Sequence, residues 1–127
     1  MNLMSEQAQD EAEVVAVIEQ YIESYIDADV TALRGVFASD AIMNGYLDGR
    51  LIEGTPEPFF RQVAANPSLN SSGLELKYNI EYVSITHNAA SVVLREIGFG
   101  PYNFTDYMHL LKRDGVWKII SKTFTTY

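Results

Sequence analysis

One carboxylate stands where the surrounding pattern calls for an apolar side chain. Residues 104–127 read FTDYMHLLKRDGVWKIISKTFTTY, two alternating aromatic-rich runs around Asp114-Gly115. Asp-Gly between such runs predicts a hairpin, because both central residues of a type I′ turn need positive φ. Counting outward from that turn, Arg113 faces Val116, Leu111 faces Lys118, Leu110 Ile119, Met108 Ser121, Asp106 Thr123 and Phe104 Thr125. One face then carries Phe104, Asp106, Met108, Leu110, Trp117, Ile119, Ser121 and Thr123, with Asp106 its only charge. A carboxylate buried among apolar groups suits general acid or base work, or else needs hydrogen-bond partners such as Thr123, Ser121 or a tyrosine hydroxyl.

Few other residues have types and spacings suited to chemistry. Tyr21 and Tyr25 fall on one stripe of a predicted helix, where a phenol could donate to a developing oxyanion or simply pack with its hydroxyl satisfied. Arg95 and Glu96 alternate on a predicted strand, and counting leaves open which of them points inward. His87 falls in a predicted turn and His109 on the opposite hairpin face from Asp106; two histidines without HxH or HxxxH spacing point to no metal site. Neither Asp-Gly pair belongs to an EF-hand loop, and there is no phosphate-cradling glycine loop or nucleophile elbow. No cofactor is expected.

The elements that would position these groups follow from periodicity. Ser5 can cap a helix whose Val14, Ile18, Tyr21 and Tyr25 repeat at helical spacing. Asp29 can cap a second helix with Leu33, Val36 and Phe37 inward, ending near Ser39-Asp40. Residues 42–54 form a second candidate hairpin around Asp48-Gly49, with Met43, Gly45 and Leu47 on one face and Ile42, Asn44 and Tyr46 on the other. Thr55-Pro56-Glu57 opens a third helix bearing Phe59, Phe60, Val63 and Ala64, stopped by Asn66-Pro67. The alternation of residues 74–86 changes phase at Val83, which predicts a bulge; after a His87-Asn88 turn, residues 90–98 supply another strand. Helices first and strands afterwards indicate an α+β fold, three N-terminal helices packed on a strongly curved, mostly antiparallel sheet.

Composition bounds the function. The chain of 127 residues is 47% hydrophobic and 20% charged, enough for one domain with a real core, taken as residues 5–127 behind a flexible 1–4. A net charge of −8 opposes nucleic acid and anionic membrane surfaces as partners. Without cysteine there are no disulfides or thiolate metal sites. The acidic first residues lack the pattern of a secretory signal, and no apolar run approaches bilayer length, so a cytoplasmic location is expected.

The element order, with FTDY, the long strand, DG, WKI and the basic residue after it, resembles the nuclear-transport-factor-2-like cone fold of ketosteroid isomerases, scytalone dehydratase and polyketide cyclases, and more narrowly its lumazine-binding group. Tyr21 and Tyr25, the run 33–41 and Asp48-Gly49-Arg50-Leu51 fit the same resemblance, which spans roughly residues 13–127. Similar members often show Phe-His-Pro-Asp-Ala where this chain has Phe37-Ala38-Ser39-Asp40-Ala41, so a site built on that histidine is absent here.

The resemblance implies a cone whose interior receives a small ligand, pterin-like by the group's name, and a homodimer through the outer sheet face of Tyr107, His109, Leu111, Ile120 and Phe124. The expected lining is Tyr21, Tyr25, Met43, Tyr46, Phe60, Phe104, Asp106, Met108 and Trp117, with Asp106 and Tyr21 as the catalytic pair. Two functions stay open: a cofactor-independent lyase or isomerase, or binding protein, for a small amphipathic or aromatic molecule; and a non-catalytic dimeric module whose interior is filled by its own large side chains.

Overall fold

Ser5 opens the first helix by accepting the Ala8 N–H at 3.1 Å, as its position before an acidic run predicts. The computed structural model describes residues 5–127, so the flexible start expected for residues 1–4 lies outside the described residues. Helix α1, Glu6–Asp27, buries Val14, Ile18, Tyr21 and Ile22 along one stripe. None of the described helices is long and apolar enough to cross a membrane.

Asp29 caps α2, Val30–Gly35, through the Ala32 N–H. The helix ends earlier than the sequence suggests. Phe37 already belongs to strand β1, Phe37–Leu47, where it pairs with Ile119 while the Ile119 N–H bonds the Val36 carbonyl at 2.9 Å. A six-residue helix is only marginally stable by itself, so a sheet ladder formed at long range decides where it stops.

The rest of the order follows expectation. β1 turns at Asp48-Gly49, both at positive φ, into β2, Arg50–Ile52; α3, Glu57–Ala65, follows and stops at Asn66. A short 3-10 turn, Leu69–Ser72, occupies the loop, and Leu74 and Leu76 precede rather than join β3, Lys77–Thr86. Then come β4, Ala89–Phe99, β5, Tyr102–Arg113, and β6, Val116–Thr126. They form one six-stranded sheet in the order β2-β1-β6-β5-β4-β3, antiparallel except between β1 and β6. Its register shifts between Ile80 and Tyr82, where the phase change in the sequence lies, and again between Glu96 and Phe99. Such irregularities bend strands, and the sheet curls around the three helices as an α+β cone.

A third shift corrects the sequence-derived register. Near the turn Arg113 faces Val116, Leu111 faces Lys118 and Leu110 faces Ile119, as counted. Ile120 is then an extra residue on β6, so His109 faces Ser121, Met108 faces Lys122, Asp106 faces Phe124 and Phe104 faces Thr126. Because side chains alternate with period two, one extra residue reverses everything beyond it. Lys122 and Phe124, counted to the outer face, are buried inside, and Phe124 leaves the set expected at an outer interface. Its backbone and ring also pass so close to Gly45 that a Cβ there would lie 2.2 Å from the Phe124 carbonyl oxygen, which only glycine tolerates.

Candidate functional site

Four polar side chains from four elements converge inside the cone. α1 contributes Tyr21, β4 Glu96, β5 Asp106 and β6 Lys122, each no more than 4% exposed. Tyr21 follows from the helical stripe. Glu96 shares its strand face with buried Ala90, Val92 and Leu94, and Asp106 shares its face with Met108 and Leu110. Lys122 is placed by the Ile120 bulge.

Hydrogen bonds link three of them in a directed chain. The Lys122 ammonium donates to the Tyr21 hydroxyl at 2.6 Å, and that hydroxyl donates to Asp106 Oδ2 at 3.4 Å. Lys122 Nζ itself lies 4.0 Å from Asp106 Oδ2. On the other side, Asp106 Oδ1 and Glu96 Oε1 are buried and meet no donor outside the carboxyl pair itself among the described residues. Burial holds the Glu96 carboxyl well above the usual carboxylate range, and the adjoining Asp106 charge and a hydrogen bond to it push the same way. A neutral Glu96 supplies the proton that two facing carboxyl groups need, because buried like charges cannot both ionise. Burial likewise drives the Tyr21 phenol far up, reinforced by Asp106 and Glu96, so Tyr21 stays a donor rather than a phenolate.

Aromatic rings enclose the charged end. The Lys122 ammonium lies over Phe59 at 4.3 Å and over Tyr21 and Phe124 at 5.1 Å each, positions that favour a cation. Phe59 stands edge-on to Tyr25 at 5.4 Å, and Phe60 to Phe37 at 5.3 Å, so α3 closes this end of the cone with packed rings. Two grooves of about 370 and 340 Å³ open elsewhere, one between α1, α2 and the start of β6, the other between the first turns of α1 and the β3–β4 turn. Neither is lined by any of the four polar residues.

The expected site residues divide accordingly. Tyr21 and Asp106 meet, with Tyr25 packed on Tyr21 and half-buried Phe104 against Phe124. Met43 is buried opposite Lys122 in the β1–β6 pairing; Phe60 and Met108 belong to the surrounding core. Two do not belong. Tyr46 is half exposed, on the far face of β1, as its own hairpin parity indicates. Trp117 is buried at the opposite end, where its indole N–H donates to Asp10 at 3.2 Å. Between Arg95 and Glu96 the inward residue is Glu96; Arg95 pairs with Glu81 and meets the Tyr127 hydroxyl.

Sequence reasoning missed Lys122 and left Glu96 undecided. Glu96 was recoverable, because it continues the parity of Ala90, Val92 and Leu94. For Lys122 the one signal is that it shares its parity with Phe124, an aromatic residue that favours burial. Among the described residues no three potential ligands are grouped to hold a metal.

Comparison with known proteins agrees with this architecture. A protein named "Aldolase FrzH" from Cladobotryum sp is 27% identical over 116 residues, covering 90% of this chain and 89% of its own. The crystal structure of an NTF2-like protein of unknown function from Shewanella baltica superposes with a TM-score of 0.82 at 27% identity, covering 98% of both chains. One from Silicibacter pomeroyi, also NTF2-like and of unknown function, gives 0.83 at 21% identity over 98% of this chain and all of its own. A ketosteroid isomerase-like protein from Erwinia carotovora gives 0.65 at 16% identity, covering 91% of this chain and 94% of its own, a likeness of fold. The sequence profile described as "Putative lumazine-binding" matches residues 9–125, nearly the entire cone, and the chain belongs to that family.

Proposed function

We propose that this protein binds a small amphipathic or aromatic carbonyl compound inside the cone and acts on it as a lyase or isomerase, with Asp106 as base and Glu96 as acid. The observation that carries this reading is the Asp106–Glu96 pair, two buried carboxyl groups each with an oxygen that meets no donor outside the pair among the described residues. Buried carboxyl groups that have only each other to match them are costly to maintain, and a reacting substrate that takes and returns a proton can use both. Tyr21, a retained phenol donor, suits an oxygen on which charge develops. The name of the Cladobotryum relative, an aldolase, belongs to the same class of carbonyl chemistry.

The test uses phenylacetone, a small aromatic ketone, in deuterated water, with loss of its α-protons followed by NMR. Wild type exchanges them above the buffer rate, and Asp106→Asn lowers that excess by about 10²- to 10⁴-fold, the usual worth of a positioned base. Equal exchange by wild type and Asp106→Asn overturns the assignment. A melting temperature raised by phenylacetone, and a rise lost in Tyr21→Phe, supports binding at this place.

A second reading has its own observation. The rings of Phe37, Phe59 and Phe60 pack against Tyr21 and one another where a ligand would lie, as in an interaction module with a filled interior. Exposed Tyr107 and His109 would then contribute to a self-association face. Under that reading Tyr107→Asp changes the oligomeric state on size exclusion, while Asp106→Ala affects stability alone.

A further inference from the structure

We infer that Lys122 is a nucleophile that forms an imine with the carbonyl carbon of a ketone or aldehyde bound against the Asp106–Glu96 pair. The inference rests on the acid–base reading above and adds to it a covalent step and a substrate class.

Position comes first. The chain has four lysines, and only Lys122 is buried inside the cone. Lys77 is exposed, Lys112 is engaged by Asp10, and Lys118 bonds the Gly35 carbonyl. A primary amine enclosed by three aromatic rings, with one buried carboxylate 4.0 Å away, is expensive to maintain if its task is only structural, since an apolar side chain would fill the same space. Its carboxylate contact is also loose, at 4.0 Å, because the ammonium is directed to Tyr21.

The hydrogen-bond chain gives the amine a way to become reactive. An ammonium must lose a proton before its nitrogen can attack. Lys122 passes one to the Tyr21 oxygen at 2.6 Å as Tyr21 passes its own to Asp106 Oδ2 at 3.4 Å. The outcome is a neutral amine beside a neutral Asp106, with Tyr21 unchanged.

The lone pair of Nζ then forms the C–N bond while the carbonyl π pair moves to oxygen. Glu96 gives that oxygen a proton and takes back one from nitrogen, leaving a carbinolamine. Asp106 next protonates the hydroxyl, the nitrogen lone pair forms C=N, and water departs. The product is a protonated imine beside the Asp106 carboxylate, with the same total charge as the starting ion pair. That carboxylate can then remove the adjacent α-proton, which the imine has acidified, to give the enamine that lyase and isomerase chemistry uses. Phe59 must move for a substrate to enter, since its ring covers Nζ at 4.3 Å and is half-buried at the surface of α3.

Borohydride trapping provides the test. The full chain, as wild type, Phe59→Ala and Lys122→Arg, is incubated with phenylacetone, reduced, digested and mapped by mass spectrometry. Phe59→Ala empties a ring-sized space above the amine. The expected result is a phenylpropyl adduct on Lys122, on the order of tenfold or more over Lys77, Lys112 and Lys118, faster in Phe59→Ala and absent at this position in the folded Lys122→Arg protein. An unlabelled Lys122 in both wild type and Phe59→Ala, or one labelled no faster than the other lysines, overturns the proposal. So does undiminished α-proton exchange in Lys122→Arg, which leaves the carboxyl pair standing without the nucleophile. An adduct in a protein whose exchange is indifferent to Asp106→Asn supports the nucleophile and instead removes Asp106 as the base.

Discussion

Where α1 crosses β5 and β6, the chain builds two clusters from the same ingredients, and they differ in what each leaves unsatisfied. At one end Asp10 receives the Lys112 ammonium at 2.8 Å and the Trp117 indole N–H at 3.2 Å, both on the same oxygen. These contacts hold the Asp10 carboxyl below the usual range and raise Lys112, the mark of an ion pair that fastens helix to sheet. At the other end Asp106 has one oxygen that meets no donor among the described residues except Glu96, which retains its proton, and Lys122 lies 4.0 Å from the other. A closed cluster can only hold. An incompletely matched one, enclosed by aromatic rings, can exchange partners with a ligand.

The severest test of that contrast removes the device that separates the clusters. Deleting Ile120 restores a regular register and turns Lys122 and Phe124 outward without touching Asp10, Lys112 or Trp117. A loss of more than about 5 kcal/mol is expected, enough to unfold most domains of this size. Urea unfolding measures it, and an unchanged midpoint means the bulge does not govern the interior.

Next in size is Asp106→Ala, which leaves the buried ammonium without its carboxylate and should cost about 3–5 kcal/mol. Asp106→Leu combined with Lys122→Met should recover most of that loss, since an apolar pair carries no desolvation cost. Chemical denaturation of the single and double variants decides the point; an unrescued double variant refutes the ion-pair account.

The two clusters also predict opposite pH slopes. Native Glu96 keeps a proton that the unfolded chain releases above pH ~4.3, so its contribution makes stability decline as pH rises through and beyond that value. Asp10 acts in the other direction: its stabilisation is present above ~3.9, the unfolded carboxyl value, and disappears as pH falls through its lowered native value. Urea midpoints measured across a pH series should lose the first slope in Glu96→Gln and the second in Asp10→Asn. Swapped effects would exchange the roles assigned to the clusters.

The smallest expected effect is Tyr46→Ala. Tyr46 is half exposed on the outer side of β1, so stability should change by no more than about 0.5 kcal/mol and phenylacetone exchange not at all. Altered exchange would return Tyr46 to the site.

Local chemistry made much of this protein legible. The Asp48-Gly49 and Asp114-Gly115 turns, the Ser5 and Asp29 caps, the helical stripe through Tyr21 and the bulge near Val83 all depend on residues close in sequence, and all lie where the sequence places them. The Asp106–Tyr21 contact was legible too, since each falls on a face whose period was read correctly. Trp117 was counted to the correct inward face, yet parity along a strand does not say which end of the cone a side chain meets. It therefore did not reveal the Asp10 partnership.

Lys122 is the opposite case. Period-two counting from the Asp114-Gly115 turn is valid only until a residue is inserted into the ladder, and nothing local to Ile119-Ile120-Ser121 announces the insertion. It is decided where β6 must pair with β5 on one side and run parallel to β1 on the other while the sheet curls over α1. Residue types alone therefore determined the elements, their order and one carboxylate with its phenol. The tertiary structure alone decided that an ammonium joins them, and that Glu96, inward by the parity of its own strand, lies beside Asp106, because that depends on register between strands far apart in the chain.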